Sequence, residues 1–139
     1  MPIFTSTYTN KVDKKGRVSV PAPFRATLNA GQDGSIVLFP SLIRTALEGF
    51  DVSFLETISS RVDNFSLFTE RKADPASQIL AKCITLAFDG EGRVVLPQAL
   101  LDYAGITDKV IFVGQGSTFQ IWNPEHYEAE LRLVEGGAA

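Results

Sequence analysis

Short runs of alternating hydrophobic and polar residues mark the predicted strands of this 139-residue chain. Phe4, Tyr8 and Val12 fall at even positions among threonines, which predicts an exposed or edge strand. The polar turn 13–16 ends in a glycine and predicts that the chain then reverses into a strand over residues 17–20. The chain is therefore expected to open with a β-hairpin.

The middle of the chain has a longer hydrophobic period. Residues 35–40 form one apolar run that predicts a strand, whereas apolar residues recur at helical spacing over residues 41–83. Residues 64–68 are themselves apolar enough to pack. We therefore expect helices throughout 41–83, with only one strand between the first short helix and this helical region.

Strand periodicity returns at residue 84 and is followed by a second set of short elements. Gly114 and Gly116 separate two apolar runs, as in a hairpin, and Asn123 precedes Pro124 as expected of a helix N-cap and first helical residue. The predicted elements are strands over 84–88 and 93–96, a short helix ending at Ala104, a hairpin over 109–122 and a C-terminal helix with an apolar stripe at Tyr127, Leu131 and Val134.

One segment of the chain occurs twice. The sequence DKKGRVSVPAPFR at 13–25 returns as DGEGRVVLPQALL at 89–101. Each copy encodes a turn that needs glycine, a short apolar strand, a proline that ends the strand, and a helical turn. We predict an α+β fold with a first repeat over residues 3–50, a helical connector over 51–83, and a second repeat with the C-terminal helix over 84–135.

Charge is distributed unevenly along the chain. The formal net charge is −3, yet residues 1–30 carry a net charge of +4 and residues 86–139 a net charge of −5. The first turn alone contains Lys14, Lys15 and Arg17, and Arg25 follows in the predicted helix. This asymmetry places any polyanionic partner on the N-terminal third.

Three cations on a hairpin tip can contact phosphates and, through the arginine fork, guanine edges in the major groove. Lysines that merely solvate a turn are the alternative, and the charge pattern alone leaves both interpretations open.

Enzymatic and metal chemistry find little support in the sequence. His126 has no neighbouring histidine or cysteine, and Cys83 lies in an apolar run, as a buried thiol does. Asp89 and Glu91 have the spacing of an ordinary polar turn, and Gly114 belongs to a hairpin rather than a phosphate loop. We expect no enzyme activity, no metal, no cofactor and no small-molecule substrate.

Neither a leader peptide nor a membrane-spanning run is evident in the sequence, so a cytoplasmic protein with no membrane partner is expected.

Three features of the chain resemble a known family. These are the motif at Asp13, Lys15, Gly16, Arg17, Pro21 and Arg25 with its echo at Asp89, the segment YAGI at 103–106, and the segment from VGQG to FQIW at 113–122. In all three the chain resembles the MraZ family. The resemblance implies a pseudo-two-fold, β-barrel-like core of two AbrB/SpoVT-like repeats with connecting helices. It also implies a ring-shaped homo-oligomer, with an octamer as one candidate size. Such a protein binds double-stranded DNA at repeated short G-rich boxes upstream of the division and cell-wall gene cluster, and is nucleoid-associated.

Carried over position by position, the resemblance makes Arg17 the candidate for base readout and Lys14 and Lys15 the candidates for phosphate contacts. Arg25 is expected either to support the turn through Asp13 or to add a phosphate contact. Framework roles fall to Asp13, Gly16, Pro21, Asp89, Gly92, Arg93 and Pro97.

Two departures from the family pattern concern the second repeat. Leu101 stands where an arginine is usual, and Gly90 and Glu91 bring no positive charge. The second turn is therefore expected to face a neighbouring subunit or solvent.

The main alternative to a DNA-binding regulator is an oligomeric scaffold whose acidic C-terminal half binds a basic protein. An antitoxin-like partner is a third candidate, but it needs a disordered toxin-wrapping tail, for which the short C-terminus offers no segment. An enzyme comes last.

Overall fold

A computed structural model of the chain describes residues 3–29, 34–63 and 75–137. Each repeat has the same order of elements, which is strand, strand, helix, strand, strand. The elements are β1 (Thr7–Lys11), β2 (Arg17–Ser19), α1 (Ala22–Thr27), β3 (Ile36–Pro40), β4 (Leu47–Asp51), α2 (Phe54–Asp63), α3 (Pro75–Lys82), β5 (Ile84–Leu86), β6 (Arg93–Val95), α4 (Gln98–Ala104), β7 (Lys109–Gly114), β8 (Phe119–Trp122) and α5 (Pro124–Gly137).

Six strands form one antiparallel sheet in the order β1-β7-β8-β4-β3-β5. In this sheet the two repeats exchange their first strands. Strand β1 pairs with β7 of the second repeat, β5 pairs with β3 of the first, and β4 pairs with β8 between them. If each strand is replaced by its counterpart in the other repeat, the same strand order results, read from the opposite end. The fold is α+β.

Strands β2 and β6 form a separate two-stranded antiparallel ribbon, with Val18 opposite Val94 at its centre. Both valines are buried and point into the core. The ribbon is extended by two reciprocal backbone bonds, in which Val20 N–H donates to Gly92 O at 3.2 Å and Leu96 N–H donates to Gly16 O at 2.9 Å. Each repeat thus completes the ribbon of the other.

The predicted opening hairpin is wrong in its pairing. After β1 the chain turns at residues 13–16, but β1 and β2 form no ladder. The two arms are joined by the isolated bridge Val12–Val18, by the bond from Asp13 N–H to Arg17 O at 3.0 Å, and by the bond from Asn10 Nδ2 to Ser19 O at 2.5 Å. Strand β1 instead pairs over five residues with β7, where it forms one edge of the sheet as expected. The longer ladder with β7 satisfies more backbone groups than the short β2 segment can offer.

The helix predicted from residue 41 is also wrong in its first part. Residues 47–51 form β4, which pairs with β3 and completes the hairpin of the first repeat. Gly49 explains why a strand fits here, because a Cβ would lie 2.4 Å from the ring of Phe119. The Ser41 hydroxyl shapes the preceding loop by accepting the N–H groups of Ile43 and Arg44 at 3.3 and 3.1 Å.

The described parts of the remaining connector contain α2 and α3, helices as predicted, which pack on the buried side chains of Val37 and Phe50. Residues 64–74, with the apolar segment 64–68, lie outside the described residues. Cys83 is half-buried beside this cluster rather than fully buried, and desolvation raises the pKa of its thiol.

The predicted C-terminal hairpin and helix are confirmed. Strands β7 and β8 flank Gly116, which has φ +86°, and Asn123 caps α5. Its Oδ1 accepts the N–H of Glu125 at 2.8 Å, and its Nδ2 donates to Gly105 O, at the end of α4, at 2.7 Å. Asn123 therefore joins the start of one helix to the end of another.

Phe24 of α1 lies at the centre of the main core. Its ring is in edge or tilted contact with the rings of Phe4, Tyr8, Phe112 and Phe119, which come from both repeats. The repeat counterpart of Phe24, Leu100, belongs to the same core. One hydrophobic core therefore holds the ribbon against the large sheet.

Among the described residues, no helix has both the length and the apolar character needed to cross a membrane.

Candidate nucleic-acid interface

The first turn is held by the side chain of Asp13. Asp13 Oδ1 accepts the N–H groups of Lys15 and Arg17, both at 2.9 Å, and Gly16 N–H donates to Asp13 O at 3.0 Å. Gly16 has φ +81°, a conformation that favours glycine because it has no Cβ. The turn is therefore rigid, with its two lysine side chains exposed at the tip.

The second turn repeats this geometry around Asp89. Asp89 Oδ1 accepts the N–H groups of Glu91 and Arg93 at 2.8 and 3.0 Å, and Gly92 has φ +76°. These backbone bonds are the largest cause of the lowered pKa of Asp89, and the bond from Arg17 N–H lowers the pKa of Asp13 in the same way. Both framework aspartates therefore stay ionised to lower pH than a free aspartate.

Each turn orients one arginine through the same aspartate. Arg17 Nε donates to Asp13 Oδ2 at 2.6 Å, and Arg93 Nε donates to Asp89 Oδ2 at 2.8 Å. The bond to Asp89 also raises the pKa of Arg93. Because each aspartate binds Nε, it leaves the two terminal nitrogens of the guanidinium for other partners.

The ribbon register places both arginines on one face. Arg17 lies opposite Val95 and Ser19 lies opposite Arg93, so these four residues alternate with the buried Val18–Val94 pair. We call them the outer face of the ribbon. Diagonal neighbours of this kind in an antiparallel pair lie about 7–8 Å apart. The second repeat thus brings Arg93 to the same face as Arg17.

The two turns differ in the charge around their arginines. Within residues 3–29, 34–63 and 75–137, no residue bonds to the terminal nitrogens of Arg17. In the second turn, Glu91 Oε2 lies 3.3 Å from Arg93 Nη2, and the Glu91 side chain is 73% exposed. Arg17 can therefore offer a donor fork to a ligand, whereas the fork of Arg93 is partly occupied.

Arg25 does not support the first turn through Asp13. Its Nη1 donates to Val20 O at 3.1 Å, and its side chain passes beneath the second turn, where a Cβ on Gly92 would lie 2.6 Å from Arg25 Cδ. Leu101 occupies the equivalent place in the other repeat, since a Cβ on Gly16 would lie 3.6 Å from Leu101 Cδ1. The residue at this repeat position therefore packs beneath the turn of the other repeat.

The two prolines end the ribbon strands as predicted. Pro21 and Pro97 stand at the N-caps of α1 and α4 with nearly identical backbone angles. Their carbonyls accept the N–H groups of Arg25 and Leu101 at 2.9 and 3.1 Å. They fix the direction in which each short helix leaves the ribbon.

The sequence predicts the members of the basic turn but not the face that they share. It gives Arg93 only a framework role, and it does not single out Ser19 or Val95. The signal that could have found them is the repeat itself, because a two-fold pairing of the two Gly-Arg-Val segments places both arginines on one side.

In the part of the chain that the structure describes, no three histidine, cysteine or acidic residues are grouped as a metal site would require. His126 is exposed on α5, where its ring lies against Gly105.

Comparison with known proteins gives the family. The family model described as "MraZ protein, putative antitoxin-like" matches residues 3–74 and 79–133. The chain belongs to the MraZ family. Proteins named "Transcriptional regulator MraZ" are similar over most of their length. The one from Rickettsia akari is 37% identical over 97% of this chain and 91% of its own. The one from Pelagibacter ubique is 45% identical over 91% and 81%.

Among solved structures, the solution structure of PHS018 from Pyrococcus horikoshii is similar at 14% identity and a TM-score of 0.36. The match covers 87% of this chain and 89% of that one. The fold assignment of this MraZ family member rests on its own sheet topology.

Proposed function

We propose that this chain is a sequence-specific, DNA-binding transcriptional regulator that acts through the basic turn of its first repeat. The observation that carries the proposal is the geometry of Arg17, whose Nε is held by Asp13 while its terminal nitrogens have no partner among the described residues. A guanidinium fixed in this way is preorganised for bidentate donation to guanine O6 and N7. The name of the relatives supports the same class of function.

The roles within the turn follow from charge and position. Lys14 and Lys15 are exposed at the tip and contact phosphates, which positions the ribbon without reading sequence. Arg17 lies on the outer face and reads a base. Arg25 is a supporting residue, because its fork is directed to Val20 O beneath the second turn.

A single turn with three cations binds DNA weakly at physiological salt, because it neutralises only a few phosphates and so releases few counterions. We therefore propose that several copies act together, as a ring-shaped homo-oligomer on repeated short boxes. Turns that meet boxes roughly one helical turn, about 10 bp, apart gain affinity by multivalency.

The family resemblance names the target as the boxes upstream of the division and cell-wall gene cluster, reached in the cytoplasm at the nucleoid. It also implies that residues 3–50 and 84–135 are AbrB/SpoVT-like repeats, which the connector 51–83 joins. The exchange of β1 and β5 between the repeats supports this relation.

The test is binding of the wild-type protein and Arg17→Ala to a fragment from upstream of its own gene, over a salt series, against a shuffled fragment. We expect the wild type to prefer the native fragment and Arg17→Ala to lose that preference. Lys14→Ala, as the matched control, should weaken binding to both fragments alike and reduce the slope of log K against log salt by about 0.9 for each copy that contacts the DNA.

Equal binding of the wild type to both fragments would remove the base-reading role of Arg17. A lack of DNA affinity even at low salt would overturn the regulator proposal and favour the scaffold, in which the acidic second half binds a basic protein.

A further inference from the structure

The β2–β6 ribbon has a local pseudo-two-fold axis through the Val18–Val94 pair, perpendicular to its outer face. Rotation by 180° about this axis interchanges the two turns, so that Arg17 takes the place of Arg93. A DNA duplex has two-fold axes of its own that point into its grooves. A fully symmetric ribbon would therefore bind a duplex equally well in two opposite directions.

The structure shows which residues break this symmetry. Both turns share the same Asp–Arg pair, the same glycine and the same backbone bonds, and both arginines stand on the outer face. The rotation exchanges Lys14 with Gly90, and it exchanges Lys15 with Glu91, which replaces a positive charge by a negative one. Glu91 also lies 3.3 Å from Arg93 Nη2, so the fork of Arg93 is partly occupied, whereas the fork of Arg17 has no partner among the described residues.

We propose that Glu91 sets the direction in which the ribbon binds DNA. This inference rests on the proposed DNA-binding function. In the productive direction, the lysine tip of the first turn meets the phosphate backbone, and Glu91 neutralises Arg93 over the weaker half of the site. In the reversed direction, Arg93 would have to read the base that Arg17 reads, but its fork is already partly occupied by Glu91, so that arrangement is rejected. A regulator whose copies all bind repeated boxes the same way round needs such a direction.

Direction is measured by site-directed cleavage. An iron–EDTA reagent is attached to Gly90→Cys in a chain whose Cys83 is replaced by Ala. Position 90 tolerates the change, since a Cβ there meets nothing within 4 Å and its φ is not positive. The duplex is the upstream fragment, with its protected segments first defined by footprinting with the wild type.

We expect the labelled chain that keeps Glu91, called the Glu91 chain, to cut one flank of each protected segment. The same labelled chain with Glu91→Lys should cut both flanks. Glu91→Lys should also bind roughly tenfold more tightly at about 0.15 M salt, with a slope of log K against log salt steeper by about 0.9 for each additional phosphate that is neutralised. Glu135→Lys makes the same charge change on α5, away from the ribbon, and should leave cleavage one-sided.

Two-sided cleavage by the Glu91 chain, or one-sided cleavage by Glu91→Lys, would overturn the role of Glu91 and leave the regulator proposal intact. If the wild type fails to protect the upstream fragment, the proposed function and this inference fall together. Binding of Arg17→Ala to the native and shuffled fragments is measured beforehand. If this variant has lost the preference for the native fragment, the proposed function stands and the cleavage result then tests Glu91 alone.

Discussion

The Arg25 side chain lies beneath Gly92, so closely that a Cβ on this glycine would come within 2.6 Å of Arg25 Cδ. Leu101 has the same relationship to Gly16 in the other half of the chain. Each turn of the candidate interface therefore rests on the short helix of the opposite repeat. The position of the side chains at the candidate interface thus depends on both halves of the molecule.

The two turn glycines should differ in their tolerance of a side chain. Gly16→Ala places a Cβ 2.9 Å from the backbone oxygen of Leu96, which cannot move aside, whereas the neighbour of Gly92 is a long side chain. Both glycines have positive φ, which by itself costs about 1–2 kcal/mol for alanine. We expect Gly16→Ala to lower the free energy of unfolding more than Gly92→Ala, as measured by urea denaturation.

Gly90→Ala is the matched control for these two substitutions. This glycine has open space around its Cβ position, so the change should alter the free energy of unfolding by less than about 0.5 kcal/mol. Equal stability of all three variants would show that neither the positive φ nor the close contacts at Gly16 and Gly92 exclude a side chain.

Replacing Arg25 should affect stability rather than phosphate binding. Arg25→Met keeps the aliphatic stem beneath Gly92 but removes the bond to Val20 O, and should cost about 1 kcal/mol in free energy of unfolding. The salt dependence of DNA binding should stay unchanged. Lys15→Met should do the opposite, leaving stability intact and reducing the salt slope by about 0.9 for each copy that contacts the DNA. A reduced slope in Arg25→Met would make Arg25 a phosphate contact after all.

Acid should weaken the turns through their two aspartates. The pKa values of Asp13 and Asp89 lie below the ordinary value of 3.8, mainly because backbone N–H groups bond to the carboxylates. The stability they contribute is complete above pH 3.8 and is lost as the pH falls through the folded-state values. We expect Asp89→Asn to be less stable than the wild type at about pH 7, and the difference to narrow as the pH falls below the ordinary aspartate value.

Thermal unfolding at a series of pH values measures this difference. Glu135→Gln serves as the control, because its exposed carboxylate has no partner among the described residues. A gap between Asp89→Asn and the wild type that stays constant down to about pH 2 would argue against a contribution from the ionised carboxylate.

Asn123 should contribute more to the free energy of unfolding than an ordinary helix cap does. Asn123→Ala loses both the cap to Glu125 N–H and the donated bond to Gly105 O, and should cost about 2 kcal/mol. Asn123→Ser keeps a cap oxygen but not the donor, and should cost about 1 kcal/mol. Chemical denaturation distinguishes the two. Equal losses would mean that the bond to Gly105 contributes nothing.

The elements of the fold are more predictable than their partners. Alternation identifies β1 and β2, and the Asn123–Pro124 pair locates the start of α5, because these are local signals. The pairing of Thr7 with Val113 leaves no local trace, since any exposed strand edge satisfies the same backbone groups. Strand β4 escapes prediction because Leu47 and Ala46 also fit a helical spacing, while the fit of Gly49 to Phe119 exists only in three dimensions.

The same limit applies to the candidate site. The charge pattern identifies Lys14, Lys15 and Arg17 as the basic tip, and positive φ at the turn glycines is expected from the turn itself. The place of Arg25 under the opposite turn is not predictable, because it depends on how the repeats cross. The sequence shows Glu91 as a missing positive charge, but only the structure shows that it contacts Arg93, which shares a face of the ribbon with Arg17.

The exchange of first strands also has a consequence for how the protein is made. Strand β1 leaves the ribosome early, but its partner β7 is synthesised roughly a hundred residues later, after both connector helices. At translation rates of about 5–20 residues per second, the N-terminal half waits for several seconds with its sheet edge and aromatic residues unpaired. A ribosome that stalls within the second repeat would therefore hold a chain that cannot finish folding and is open to aggregation or to pairing with a neighbouring nascent copy.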